Sequence, residues 1–145
     1  MSLKIEETQK CLNFMLRMSS RIVGRHFDNE LRPLGLKATQ FNILSVLTQK
    51  GASSITTISG ILSMERSALA RNLKPLELKG FVKLSPGKDK RVKIASVTAK
   101  GKKQLQKALP VWSKTQKELA KNLGAKEVKQ LANITMKLRA FEQKK

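Results

Sequence analysis

The chain has 145 residues, 40% of them hydrophobic, which suits one domain with a core of its own and excludes disorder throughout. Thirty lysines and arginines stand against ten acids, a formal net charge of +20; a domain this basic meets a polyanion, most often nucleic acid, unless the lysines serve only to keep its surface solvated. One cysteine and one histidine exclude an internal disulfide and argue against a dedicated metal site.

Leu12, Met15, Leu16, Ile22, Val23, Phe27 and Leu31 recur at three- and four-residue steps, which predicts a long amphipathic helix over 6–32. Pro33 and Gly35 end it. Thr39 then precedes Phe41, Ile43, Leu44, Val46 and Leu47, a second and more buried helix closed by Gly51. A short third helix carries Ile58, Ile61 and Leu62, with Thr56 or Thr57 as its N-cap. Ser63 breaks the pattern and is placed to cap a fourth helix, from Met64 to about Lys79, that stops at Gly80. Two short helices joined by a tight turn read as a helix-turn-helix.

At 100° per residue, Leu69, Leu73 and Leu76 share a narrow arc of the fourth helix. Ser67, Arg71 and Lys74 face the other way, with Arg66 at the margin. Such a face can enter a major groove, where arginine bonds a guanine edge at two points and serine or lysine holds phosphates. A solvated helix face would look the same. Pro75 removes a backbone donor inside this helix, so a bend or a tightened turn is expected near Arg71 to Pro75.

Val82 and Leu84, then Val92 and Ile94, alternate with polar residues around a basic tip from Ser85 to Arg91. This pattern predicts a two-stranded hairpin. A helix-turn-helix followed at once by a hairpin is a winged helix. Beyond Thr98, a helix presents Leu105, Leu109, Trp112, Leu119 and Leu123 on one face, with Pro110 as a point for a kink. After Gly124 a last helix carries Val128, Leu131, Ile134, Leu138 and Phe141. Long terminal helices with spare apolar faces point to a partner chain, although packing within one subunit would use the same stripes. The fold class expected is mainly α with a small β-hairpin wing. The whole of 1–145 is expected to form one domain, with 38–97 as a winged-helix lobe between the helical stretches 6–32 and 98–145.

In order and spacing the chain resembles the MarR family of transcription regulators. The resemblance rests on "LKATQFNILSVL", "MERSALARNLKPLELKGFV" and "DKRVKIASVTAKG". The family's Asp-Arg-Arg at the wing tip becomes Asp89-Lys90-Arg91, and its Leu-Thr-x-x-Gly becomes Val97-Thr98-Ala99-Lys100-Gly101. The resemblance implies a homodimer, with 6–32 and 98–145 as the helical dimerisation region and 38–97 as the DNA-binding lobe, that reads a pseudo-palindromic operator in double-stranded DNA as a regulator, expected to be a repressor. It implies Arg91 in the minor groove, with Asp89 orienting Arg91 or holding Arg66 or Arg71. Lys88 and Lys90 are expected on phosphate, since lysine keeps the charge but not the planar fork of arginine. Ser59 stands where the family usually has a small apolar residue.

The family also implies a small-molecule effector between the dimer and DNA-binding regions; Met15, Met18, Phe41 and Trp112 are the candidate lining. One branch senses oxidants through a cysteine early in the first helix, which makes Cys11 a candidate redox sensor. The other reading of a lone cysteine on an apolar helix is a small buried hydrophobe. The alternative function is non-specific binding of chromatin or RNA through charge alone. No paired carboxylates, Ser-His-Asp set or phosphate-binding glycine loop suggest an enzyme, and neither catalytic residues nor a cofactor are expected. No apolar run approaches the ~18 residues of a membrane span, and a cytoplasmic location is expected.

Overall fold

The computed structural model describes residues 4–144. Its elements are α1 (Leu12–Leu31), α2 (Ala38–Lys50), β1 (Ser53–Ser54), α3 (Ile55–Leu62), α4 (Arg66–Leu78), β2 (Val82–Pro86), β3 (Lys93–Val97), α5 (Ala99–Leu123) and α6 (Ala125–Gln143). The fold is a winged helix-turn-helix set among long helices. No helix among the described residues is long and apolar enough to cross a membrane.

The first helix differs from its expected span. Ile5–Lys10 forms a 3-10 helix, Cys11 is extended (φ −60°, ψ 132°), and the α-helix begins at Leu12. The Cys11 N–H bonds the Thr8 carbonyl at 3.1 Å, and no residue of that leading turn is buried. Without an apolar stripe, nothing holds it in register with α1.

The core gathers Leu31, Leu36, Ile43, Leu44, Leu47, Ile58, Leu69, Leu73 and Leu76, with Val82 and Ala95 from the sheet and Leu105 and Ala108 from α5. The predicted stripe of α4 is thus the buried one. Helix α4 continues through Pro75 to Leu78.

Two caps differ from expectation. Ser54, not Thr56 or Thr57, caps α3: its Oγ accepts from the Thr57 N–H at 3.1 Å. Ser63 does not open α4. It closes α3 in the left-handed region (φ 48°), and Glu65 occupies the N-cap of α4 with no side-chain bond to the helix.

The sheet has three antiparallel strands in the order β1-β3-β2. Val82 pairs Val97, Leu84 pairs Ala95 and Pro86 pairs Lys93. The short β1, which carries no alternating pattern, adds Ser53 opposite Ala95 and Ser54 opposite Ile94. Val92 lies in the wing turn rather than in a strand. Its carbonyl accepts from the Gly87 N–H at 2.7 Å, and its own N–H bonds the Asp89 carbonyl at 2.9 Å.

The wing base is locked to α5. Thr98 caps this helix by accepting from the Gly101 N–H at 3.0 Å and donates its hydroxyl to the Gly80 carbonyl at 2.6 Å. Its own N–H bonds the Phe81 carbonyl at 3.0 Å. Gly101 is buried so close to Phe81 that a Cβ there would overlap the Phe81 carbonyl oxygen. That contact, rather than a turn, is what requires glycine.

Candidate nucleic-acid interface

Burying Leu69, Leu73 and Leu76 turns the opposite face of α4 outward, and Arg66, Ser67, Arg71 and Lys74 are all exposed on it. None of the four is paired with an acid among the described residues. Four polar side chains on one exposed face, three of them cationic, can meet base edges and phosphates together.

At the wing tip, Lys88, Asp89, Lys90 and Arg91 are exposed. Asp89 accepts three bonds from Arg91: from its backbone N–H at 3.1 Å, from Nε at 3.2 Å and from an Nη at 3.2 Å. Of the partners open to it in the sequence, Asp89 takes Arg91. The Arg91 side chain and then its backbone N–H hold the Asp89 carboxyl below its ordinary pKa. A surface pair of this kind contributes little to stability. What it does is hold an arginine whose side chain is 89% exposed in one arrangement.

The rigid body behind this surface includes contacts that the sequence reading missed. Arg139 on α6 donates to the Ile61 carbonyl at 2.8 Å, and the Ser63 hydroxyl donates to Glu142 at 3.1 Å. The last turns of α6 therefore hold the turn between α3 and α4. These partners lie 78 and 79 residues apart, where no local pattern reports contact. Lys79 reaches from the end of α4 to the Gly35 carbonyl, and Lys100 lies 5.6 Å from the centre of the Phe81 ring.

The surface therefore consists of an outward basic helix, an ordered arginine on a wing, and a lobe pinned by α5 and α6. A model of the MarR family matches residues 36–93, the helix-turn-helix and most of the wing. The multiple antibiotic resistance protein MarR of Salmonella typhimurium is 30% identical over 129 residues, covering 88% of this chain and 90% of that protein. The chain belongs to the MarR family. Among solved structures, the M. tuberculosis transcriptional regulator MosR in complex with DNA is similar at a TM-score of 0.78, with 33% identity over 90% of this chain and 97% of that one. A mutant MarR from E. coli complexed with operator DNA gives 0.79, with 27% identity over 94% and 99%. Like them, this MarR-family chain is a winged-helix regulator of the DNA-binding type.

Two of the candidate lining residues come together. Phe41 and Trp112 stack with ring centres 5.8 Å apart at 13°. They line a cavity of about 320 Å³ with Val23, Gly24, Phe27 and Gln116. Met15 and Met18 are not among its lining residues and lie exposed on α1.

Cys11 is exposed, not a buried hydrophobe. It occupies the N-cap of α1, where the backbone N–H groups of Phe14 and then Asn13 draw the thiol below its ordinary pKa. Ser59 is buried, and its Oγ has no hydrogen-bond partner among the described residues.

Proposed function

We propose that two copies of the chain form a repressor that reads a pseudo-palindromic operator in double-stranded DNA. One observation carries this reading: Arg91 is held by Asp89 on an exposed wing, and the same lobe turns the unpaired Arg66, Ser67, Arg71 and Lys74 outward on α4. In this reading α4 enters the major groove, Arg91 the minor groove, and Lys88 and Lys90 hold phosphates. Pairing through α1, α5 and α6 is supported by their exposed Leu16, Ile22, Leu109, Leu131, Ile134 and Leu138. It would place the two recognition helices about one turn of duplex, ~34 Å, apart.

Release from the operator has two readings. The cavity beside Phe41 and Trp112 joins α1, α2 and α5, so a small apolar ligand there would bias the angle between the helical region and the DNA-binding lobe. The exposed thiol of Cys11, with its lowered pKa, supports release by an oxidant instead. Hydroperoxide that frees wild type and Cys11→Ser equally excludes the second.

The deciding experiment is fluorescence anisotropy on the DNA upstream of the chain's own gene, with excess random duplex and varied salt. A tight complex that survives competitor is expected. Collapse of the complex would instead assign binding to charge alone and favour a chromatin or RNA protein.

A further inference from the structure

The winged-helix lobe does not account for most of the positive charge. Residues 98–145 carry 13 lysines and arginines against three acids, whereas 38–97 carry ten against three. Much of the excess on α5 is ordered. At 100° per residue, Lys103, Lys107, Lys114, Lys117 and Lys121 fall within an arc of about 80°, spread over about 27 Å of helix axis. All five are exposed, and none is ion-paired among the described residues. The nearest acid on that side, Glu118, flanks the arc. The buried residues Gly101, Leu105, Ala108 and Thr115 lie on the opposite face, and the exposed Leu109 and Leu123 also point well away from the lysines. A second copy covering the apolar residues would therefore leave the ridge open.

Such a ridge is costly without a counter-charge. Lys103 and Lys107, and again Lys117 and Lys121, are like charges four residues apart, which weakens a helix. No aromatic residue lies among the five lysines to stack with bases, so the surface is suited to a charged backbone rather than to unpaired bases. Thr98 fixes the start of α5 at the base of the wing. Lys114, Lys117 and Lys121 lie about 24 to 35 Å along the helix from that point, and the ridge belongs to neither α4 nor the wing.

We propose that the lysine ridge of α5 binds the phosphate backbone of a second segment of double-stranded DNA while α4 and the wing hold the first, so that the protein bridges two duplexes. The inference rests on the duplex-reading function proposed above. Five phosphate contacts give a salt slope of about −4.5 in log–log form, or about a 500-fold loss of affinity between 50 and 200 mM salt.

The test compares the full chain with a variant in which all five lysines become glutamine, which has a similar helix propensity; circular dichroism confirms its folding. A 30-bp duplex from upstream of the gene is immobilised and loaded with protein, and a fluorescent 30-bp random duplex is then added. Wild type is expected to capture the second duplex at low salt. The variant should hold the first duplex and capture at least tenfold less of the second. Equal capture by both proteins, or none by wild type holding the first duplex, overturns the proposal. So does displacement of the second duplex by structured RNA but not by unlabelled duplex. If the immobilised duplex itself is not bound, the operator reading fails instead. An anisotropy titration of the random duplex then judges the ridge alone: wild type should show a second, salt-sensitive binding step that the variant lacks, and identical titrations overturn the ridge.

Discussion

Asp89 holds Arg91 at three points within a turn of four residues, and the carboxylate reaches both Nε and an Nη of the guanidinium. The pair is exposed, so its value is in order rather than stability. An arginine already held in one arrangement loses less rotamer freedom on entering a groove. Asp89→Asn is therefore expected to weaken operator binding about three- to tenfold. The sign is informative, because removing a negative charge near phosphates would by itself strengthen binding. The pKa of Asp89 is lowered, so the ordering it provides is complete above the ordinary carboxylate range and is lost only as pH falls through the lowered value. Affinity that stays level from neutral pH into mild acid in wild type, and is reduced at every pH in Asp89→Asn, is the expected anisotropy result.

Arg71 and Lys88 should fail in different ways. Arg71 lies on the outward face of α4, and its loss should cost about 1–3 kcal/mol on the preferred sequence and relax preference at one base position. Lys88 on the wing should lose affinity for every sequence alike and flatten the salt slope by about 0.9. Binding to a panel of single-base operator variants at three salt concentrations separates the two. An Arg71→Ala protein with unchanged affinity and preference would mean that α4 presents a different face.

Gly101 tests the joint between wing and helical region. Alanine would normally favour a helix, but here its methyl group would overlap the Phe81 carbonyl oxygen, and backbone must move. Overpacking of this kind costs about 1–3 kcal/mol, so Gly101→Ala should lower the thermal midpoint by roughly 3–10 °C. Calorimetry reads this directly. Gly60, where an added methyl meets nothing within 4 Å, supplies the control, and Gly60→Ala should leave the midpoint unchanged or raise it.

Arg139 offers a change in DNA binding without a change in the DNA-facing surface. It donates to the Ile61 carbonyl in the last turn of α3, while Glu142 accepts from the Ser63 hydroxyl. Arg139→Ala should raise hydrogen exchange over residues 61–66 and weaken operator binding severalfold. The salt slope should not change, because no phosphate contact is lost. A shallower slope would show instead that Arg139 itself touches DNA.

The sequence was most legible where periodicity and burial coincide. Leu69, Leu73 and Leu76 point inward as their spacing requires, and that alone turns Arg71 and Lys74 out. The start of α5 just beyond Thr98 was legible too, because that residue stands between an alternating strand and an apolar helix. Where several residues could do one job, the outcome depended on geometry. Ser54, Thr56 and Thr57 all suit an N-cap, and pairing of Ser53 and Ser54 with β3 selects Ser54. Ser63 has the chemistry of a cap, but the left-handed turn it makes closes α3 instead. The Arg139 and Glu142 contacts join segments nearly 80 residues apart, and no spacing rule reaches that far.

Ser59 is the place where local chemistry and packing disagree. Its hydroxyl is buried in α3 with no partner among the described residues, although the turn that follows uses its carbonyl, which accepts from the Met64 N–H at 2.9 Å. An unmet hydroxyl costs about 1–3 kcal/mol relative to one that is bonded, and removing it leaves the carbonyl contact in place. Ser59→Ala also gains helix propensity. The variant is therefore expected to be more stable than wild type by about 1 kcal/mol, seen as a higher thermal midpoint with operator affinity retained. A lower midpoint would mean that the hydroxyl contributes to the packing of α3 after all.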